Sequence, residues 1–320
     1  MIKILVNDGI HPDGKAMLEA AGYQVDTEKV PQDQLEAQLP EYDVIVVRSA
    51  TKVRKELIDK CPKLKIIARG GVGLDNIDHD YARSKGLAVI NTPAASSQAV
   101  AELVFAHLLG LARSLHQANR AMPGKGDTEF KSLKKSYSKG FQLRGRTMGI
   151  IGFGRIGQET ARIALGMGMK VLAVDPIIER AELQLDIDGI NGDAPKVSLP
   201  TVPMDDMLAQ ADIISLHIPF LGAPVLADEQ FGKMKDGVIL INCARGGTVD
   251  EDALLRAMES GKVAAAGLDV FENEPTPRKD LLDNPAISLS PHIGASTGEA
   301  QRNIGLELGE KITAHLQSNG

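Results

Sequence analysis

Three residues in the second half of the chain have the side chains that oxidation of a hydroxyl, or reduction of a carbonyl, requires. Arg245 stands in Asn242-Cys243-Ala244-Arg245-Gly246-Gly247, where a guanidinium can grip a carboxylate through two parallel hydrogen bonds. Glu274 precedes Pro275 in Asp269-Val270-Phe271-Glu272-Asn273-Glu274-Pro275, and His292 lies between Pro291 and Ile293-Gly294. A carboxylate beside an imidazole orients the ring and stabilises its protonated form, so Glu274 and His292 form a candidate acid/base dyad. Read singly, each also fits a plainer role: a surface Arg in a glycine turn, an exposed loop Glu, a satisfied loop His.

A redox partner for such a dyad is implied by Met148 to Pro176, MGIIGFGRIGQETARIALGMGMKVLAVDP. An apolar strand ending at Ile151 runs into Gly152, Gly154 and Gly157, and a helical stretch then leads to a second strand, Lys170 to Val174, and to Asp175. The first glycine permits a tight turn, the second lets the backbone approach a pyrophosphate, and the third lets the helix pack close to the strand. Amides at the helix start face the phosphates. Asp175, about 20 residues beyond the glycines, is placed to accept from ribose hydroxyls and to repel a 2′-phosphate, which favours NAD over NADP.

The elements that must position these residues follow from periodicity. Ile2 to Val6, Val44 to Val47, Ile66 to Ala68 and Ala88 to Ile90 read as buried strands, with helical stretches between them. Their ends carry Arg48-Ser49-Ala50-Thr51-Lys52 and Arg69-Gly70-Gly71-Val72-Gly73, and ligands of open α/β sheets bind beyond the carboxyl ends of strands. After Asn91-Thr92-Pro93, Ser97 to Leu115 reads as a long apolar helix leading out of the first domain, and Pro123 to Gly140 as a polar loop. Further strands at Ile213–Leu216, Val238–Ile241, Ala264–Leu268 and Ile287–Ser290 complete a second parallel sheet, and Asp188 to Pro203 reads as a surface insertion. A last helix, near Thr297 to Leu316, carries apolar residues at Ile304, Leu308, Ile312 and Leu316 that need the first domain as partner. The expected architecture is α/β with two parallel-sheet domains, a Rossmann NAD-binding domain (98–295) inserted into a flavodoxin-like substrate domain (1–97 plus 296–320).

Composition narrows the classes. Aromatic residues are 3% with no Trp, which argues against a base-stacking platform. The net charge of −6 repels nucleic acid and anionic membranes, so an anionic ligand must be drawn in by local basic residues. Arg48, Lys52, Arg54 and Arg69 at strand ends are the candidates, with Lys131, Lys134 and Lys135 as reinforcement. Cys61 and Cys243 are too few for a disulfide framework. Met1 leads directly into a strand and no apolar run approaches about 18 residues, so a soluble cytoplasmic protein is expected.

The GFGRIG, NCARGG, DVFENEP and PHIGAST segments, in this order and at these spacings, resemble the D-isomer-specific 2-hydroxyacid dehydrogenases over almost the whole chain. Within that family, VRSATKV, RGGVGLDNID and the GAST ending are most similar to the branch that oxidises D-3-phosphoglycerate to 3-phosphohydroxypyruvate, the first step of serine biosynthesis. The resemblance implies Arg245, Glu274 and His292 as catalytic residues. It also implies NAD contacts from Arg155, Ile156, Asp175, Cys243, Ala244 and Asp269, completed by Val72, His217, Ile218, Ile293, Gly294 and Ala295. The expected substrate contacts are Arg48, Arg69, Gly70, Gly71, Arg245 and His292; no metal is expected, and the resemblance implies a homodimer through the NAD-binding domains. Two departures stand out: Glu129-Phe130 where the family commonly has a Trp, and Phe220-Leu221-Gly222-Ala223 where a Leu-Thr pair is usual. A short form without the serine-binding regulatory domain is expected. The alternatives are a glyoxylate/hydroxypyruvate reductase, which needs no phosphate pocket, and an NAD-sensing corepressor.

Overall fold

Runs of a few residues with apolar side chains on both faces, too short for a helix, suit strands of a sheet covered on two sides. In the computed structural model, which describes residues 1–185 and 194–318, the first such runs form β1 (Lys3–Val6), β2 (Gln24–Asp26), β3 (Val44–Val47), β4 (Ile66–Arg69) and β5 (Ala88–Asn91). They pair in parallel in the order β2-β1-β3-β4-β5, the flavodoxin-like arrangement. Between them run α1 (Pro12–Ala20), α2 (Leu35–Gln38), α3 (Lys55–Asp59) and α4 (His79–Ser84). Leu5, Ile45, Val47 and Ile67 supply one apolar face, and Ile4, Val6, Val44, Val46, Ile66 and Ala68 the other. Expected as a buried strand, β5 is half-exposed throughout, because as an edge strand it has only β4 beside it.

Contacts divide the chain into two compact units, Met1–Ala99 with Ala295–Gly320, and Val100–Gly294. The first division falls inside α5 (Ser97–Ala112). That helix stops short of Leu115: Ser114 takes a left-handed φ of 48°, and α6 (Leu115–Lys125) sets off at 60° to α5. The loop expected over Pro123 to Gly140 is largely helical instead, with Pro123 inside α6 and α7 at Phe130–Ser136. Leu133 is the buried anchor of α7 and Phe130 is exposed, so one buried apolar residue among lysines leaves too little period to read.

The second sheet contains β6 (Thr147–Ile151), β7 (Lys170–Val174), β10 (Ile213–Leu216), β11 (Val238–Asn242), β12 (Val263–Leu268) and β13 (Ile287–Leu289), with β8 (Arg180–Gln184) and β9 (Lys196–Pro200) as a separate antiparallel pair. Its order is β7-β6-β10-β11-β12-β13, all parallel, so the strand order reverses between β6 and β10, the switch point at which such sheets bind ligands. Helices α8 (Arg155–Gly166), α9 (Met204–Gln210), α10 (Asp228–Lys233), α11 (Glu251–Glu259) and α12 (Lys279–Leu282) connect the strands. Of the insertion expected over Asp188 to Pro203, 188–193 lie outside the described residues; the rest is β9 and Thr201, which bridges Ala173 of β7. The described part of this surface insertion therefore runs beside the sheet edge at Thr201.

The chain ends in α13 (Gly298–Ser318), whose Ile304, Leu308 and Ile312 pack with Leu18 of α1 on the first sheet. A Cβ on Gly14 would lie 2.5 Å from the Gly305 carbonyl, so the α1–α13 contact is close enough to need glycine. Among the described residues no single helix is long and apolar enough to cross a membrane.

Candidate active site

The glycine loop after β6 divides its work by position. A Cβ on Gly157 would lie 2.1 Å from the Gly152 carbonyl, whereas a Cβ on Gly154 would meet nothing within 4 Å. Gly157 is thus required by the protein's own packing, and the open space over Gly154, the residue that starts α8, is left for a ligand. Arg155 and Ile156 form the first turn of α8. Asp175 is held firmly: one oxygen accepts from the Ile177 and Ile178 amides, both at 2.9 Å, and the other from the Phe153 amide at 2.7 Å. Burial acts to raise its pKa, but the three amides outweigh burial and hold it below the usual carboxylate value. The oxygen facing Phe153 keeps one lone pair, enough for one further donor. At the end of β10, His217 pairs through Nε2 with Ser215 at 3.0 Å, while its Nδ1 is closed off from solvent with no partner. Burial pushes the His217 pKa down to about 3, so this ring is neutral. Ile218 and the His217 carbonyl lie against Gly152.

Arg245 is placed by the turn after β11. The Asn242 side chain donates to the Arg245 carbonyl and to Thr248, each at 3.1 Å, and accepts from the Ala244 amide; Thr248 donates to the same carbonyl at 2.7 Å. A Cβ on Gly246 would fall 1.9 Å from the Phe271 carbonyl, so glycine there brings the Arg245 turn against the segment that carries Glu274. Cys243 is buried, and burial, with the Asp269 carboxylate nearby, drives its thiol well above the ordinary value. It is no nucleophile.

Glu274 and His292 meet. Glu274 Oε2 lies 2.7 Å from His292 Nδ1, and Oε1 accepts from the Phe271 amide at 3.1 Å. With Nδ1–H committed to the carboxylate, Nε2 is the atom left to exchange a proton with a ligand. His292 has a left-handed φ of 55°, a conformation that costs a non-glycine residue about 1 kcal/mol or more. The turn is enforced by wholly buried Asp269: its carbonyl accepts from the His292 amide at 2.8 Å, and its carboxylate from the Ile293 and Gly294 amides, both at 2.9 Å. A cavity of about 400 Å³ bounded by Phe271, Leu282 and Leu289 opens onto the dyad.

In the first unit, Arg48 follows β3 and Arg69 ends β4. Asp8 accepts from the Arg48 amide at 2.7 Å and from the Thr51 amide and hydroxyl. Asn76 donates to the Arg48 and Thr51 carbonyls at 2.7 and 2.6 Å and accepts from Arg69 Nε at 3.2 Å. A Cβ on Gly71 would lie 2.6 Å from Arg69 Nη1, and one on Gly70 would lie 3.6 Å from Arg48 Cγ. Arg48, Arg69, Gly70 and Gly71 are therefore neighbours. Arg54 is engaged by Asp78 at 2.9 Å, and Lys131, Lys134 and Lys135 project from exposed α7 in the other unit. Val72 and Ala295 belong to the first unit.

Residues 105–294 match the family model described as D-isomer specific 2-hydroxyacid dehydrogenase, NAD binding domain. The chain belongs to the D-isomer specific 2-hydroxyacid dehydrogenases. It is 44% identical to a hydroxypyruvate reductase of Thermotoga maritima, over 98% of both chains. It is 40% identical to the D-3-phosphoglycerate dehydrogenase of Methanocaldococcus jannaschii, matching over 99% of this chain but 58% of that protein. Among solved structures it resembles a D-lactate dehydrogenase of Aquifex aeolicus complexed with NAD and lactic acid, at a TM-score of 0.77 and 30% identity, over 99% of this chain and 96% of that one. Like other members of the family, the chain is an NAD-dependent oxidoreductase acting on 2-hydroxy acids. Three features fit the cofactor: the space over Gly154, the spare acceptor on Asp175 and the unpartnered Nδ1 of His217. Sequence reasoning missed Asp8, Asn76, His107 and Ser290, whose partners are distant in the chain. Asn76 carried one faint signal, its place in the Asp75-Asn76-Ile77-Asp78 stretch that follows the glycine run.

Proposed function

We propose that this dehydrogenase oxidises D-3-phosphoglycerate to 3-phosphohydroxypyruvate with NAD. The chemistry rests on the dyad. Arg245 holds the substrate carboxylate and polarises the C2 oxygen, His292 Nε2 takes the hydroxyl proton, and Glu274 stabilises the imidazolium that forms. The loop at Gly154, with Asp175, would hold NAD, which when bound would supply the acceptor for the C2 hydrogen and its electron pair. In the reverse direction His292 starts protonated and returns the proton to the C2 oxygen. NAD is preferred to NADP because of Asp175, and the enzyme works as a homodimer through its NAD-binding domains, a reading supported by exposed Leu115, Met122 and Phe130 on α6 and α7.

The observation that carries the substrate is the pairing of Arg48 and Arg69 about Gly70-Gly71, with Asn76 bonded to both. Two guanidinium-bearing residues at neighbouring strand ends, the backbone of Arg48 and the side chain of Arg69 both bonded to Asn76, suit a phosphate better than a neutral hydroxyl. Losing one charge-assisted bond costs about 1.5–3 kcal/mol, or roughly 10- to 150-fold in kcat/KM. Arg48→Ala and Arg69→Ala should therefore impair D-3-phosphoglycerate much more than D-glycerate, and Arg245→Ala should impair both. Equal losses for both acids in the first two variants would remove the phosphate assignment. The second reading is then reduction of hydroxypyruvate, which the Thermotoga relative favours.

A further inference from the structure

Beyond Ser97 at its start, helix α5 is apolar along its buried side except at His107, which is only 5% exposed. Both ring nitrogens are engaged: Nδ1 lies 2.8 Å from Ser288 Oγ and Nε2 lies 2.9 Å from Ser290 Oγ. The ring is seated directly on a strand, for a Cβ on Gly267 of β12 would come within 2.8 Å of His107 Cβ. Glycine inside a buried strand marks such a close approach. Ser290 in turn donates to Asp269 Oδ1 at 2.5 Å, and Asp269 is the residue whose carbonyl and carboxylate hold the turn at His292, Ile293 and Gly294.

The direction of each bond in this chain follows from its end. Asp269 accepts, so the single hydroxyl hydrogen of Ser290 is spent on it. Ser290 Oγ must then accept from His107 Nε2–H, which leaves Nδ1 to accept from the Ser288 hydroxyl. Burial, which lowers the His107 pKa against the opposing pull of Asp269, agrees with this neutral tautomer.

We propose that His107 is a positioning residue for His292, acting through Ser290 and Asp269. This rests on His292 as the acid/base of the reaction and on nothing about the phosphate. The Nε2–H donor fixes the Ser290 rotor, the rotor fixes the Asp269 carboxylate, and the carboxylate holds the left-handed turn that aims His292 at Glu274. Without the donor, Ser290 can turn away and Asp269 Oδ1 loses one of its two partners, keeping only the Ile293 amide.

Glutamine places an amide nitrogen near the position of Nε2, and asparagine reaches only as far as Nδ1. His107→Asn and Ser290→Ala should lower kcat on the order of 10- to 100-fold, the loss expected when a reacting group is misplaced by a fraction of an ångström to an ångström. NADH affinity should fall less than kcat does, because the glycine loop is untouched and only Asp269, Ile293 and Gly294 among the expected cofactor contacts lie on this chain of bonds. The midpoint of the pH profile for reduction should move away from that of wild type. His107→Gln should recover most of kcat and the wild-type midpoint. The assay follows reduction of hydroxypyruvate and of 3-phosphohydroxypyruvate side by side, with NADH binding and thermal unfolding measured on each variant. Should His107→Asn fail to fold, Ser290→Ala breaks the same chain at a smaller residue. Wild-type kcat and midpoint in Ser290→Ala overturn the proposal, as do losses that follow Tm alone and are no smaller for His107→Gln. His292→Ala separates the two ideas: if it retains turnover, the acid/base assignment itself falls; if it is inactive while Ser290→Ala behaves as wild type, only the role of His107 falls.

Discussion

Glu274→Gln probes the dyad in a way that the geometry makes quantitative. In the native site one Glu274 oxygen accepts from His292 Nδ1 at 2.7 Å and the other from the Phe271 amide at 3.1 Å. A glutamine offers one oxygen and one NH₂, so either the imidazolium or the amide loses its acceptor. A hydrogen bond to a charged group contributes about 1.5–3 kcal/mol. The two side chains are 42% and 36% exposed, so solvent screening reduces this to about 1 kcal/mol. At about 1.4 kcal/mol per factor of ten, the loss corresponds to roughly 5-fold in rate. Reduction needs protonated His292 and fades as pH rises through the midpoint of its profile; weakening the protonated form moves that midpoint down. The variant should therefore reduce its 2-oxo acid nearly as well as wild type at low pH and roughly 5-fold worse above the wild-type midpoint. The assay is kcat/KM for reduction across pH, with NADH binding as the control for folding. Coincident midpoints in two folded, NADH-binding proteins would refute the coupling of Glu274 to the His292 proton.

Two further expectations concern the cofactor. Gly154→Ala should leave Tm near wild type, since a Cβ there meets nothing within 4 Å, yet weaken NADH binding measured by fluorescence titration. Gly157→Ala should lower Tm, because its Cβ would lie 2.1 Å from the Gly152 carbonyl and overpacking costs about 1–3 kcal/mol; the opposite pattern would deny that the space over Gly154 receives the phosphates. Asp175→Asn can still accept from two of the three amide donors and loses the charge. Repulsion of a 2′-phosphate at about 5 Å in an effective dielectric of about 20 is near 3 kcal/mol, so the NADP to NAD ratio of kcat/KM should rise roughly 10²-fold; an unchanged ratio would mean that Asp175 does not set the choice.

The central strands were legible because parallel sheets bury both faces of each strand, so Val44–Val47 and Ile213–Leu216 stand out as continuous apolar runs. Edge elements were not. Only Val25 is buried in β2, and β8 and β9 alternate polar residues with single apolar ones. In the site, the types Arg245, Glu274 and His292 were readable, but their meeting was not. It depends on Gly246 passing under Phe271 and on Asp269 holding the turn at His292, contacts that no local spacing encodes. Asn76 bonds to residues 25 and 28 positions away, and His107 to residues 181 and 183 positions away. A polar residue whose partners are that remote looks, in sequence, like any other asparagine or histidine.

The most direct test of the account is the rate of NADH formation by the wild-type protein with D-3-phosphoglycerate and with D-glycerate, at saturating NAD. If Arg48 and Arg69 bind the phosphate, kcat/KM for the phosphorylated acid should exceed that for D-glycerate by about 10-fold or more, the value of one charge-assisted bond. A higher kcat/KM for D-glycerate would contradict the account and leave the hydroxypyruvate reductase reading in its place.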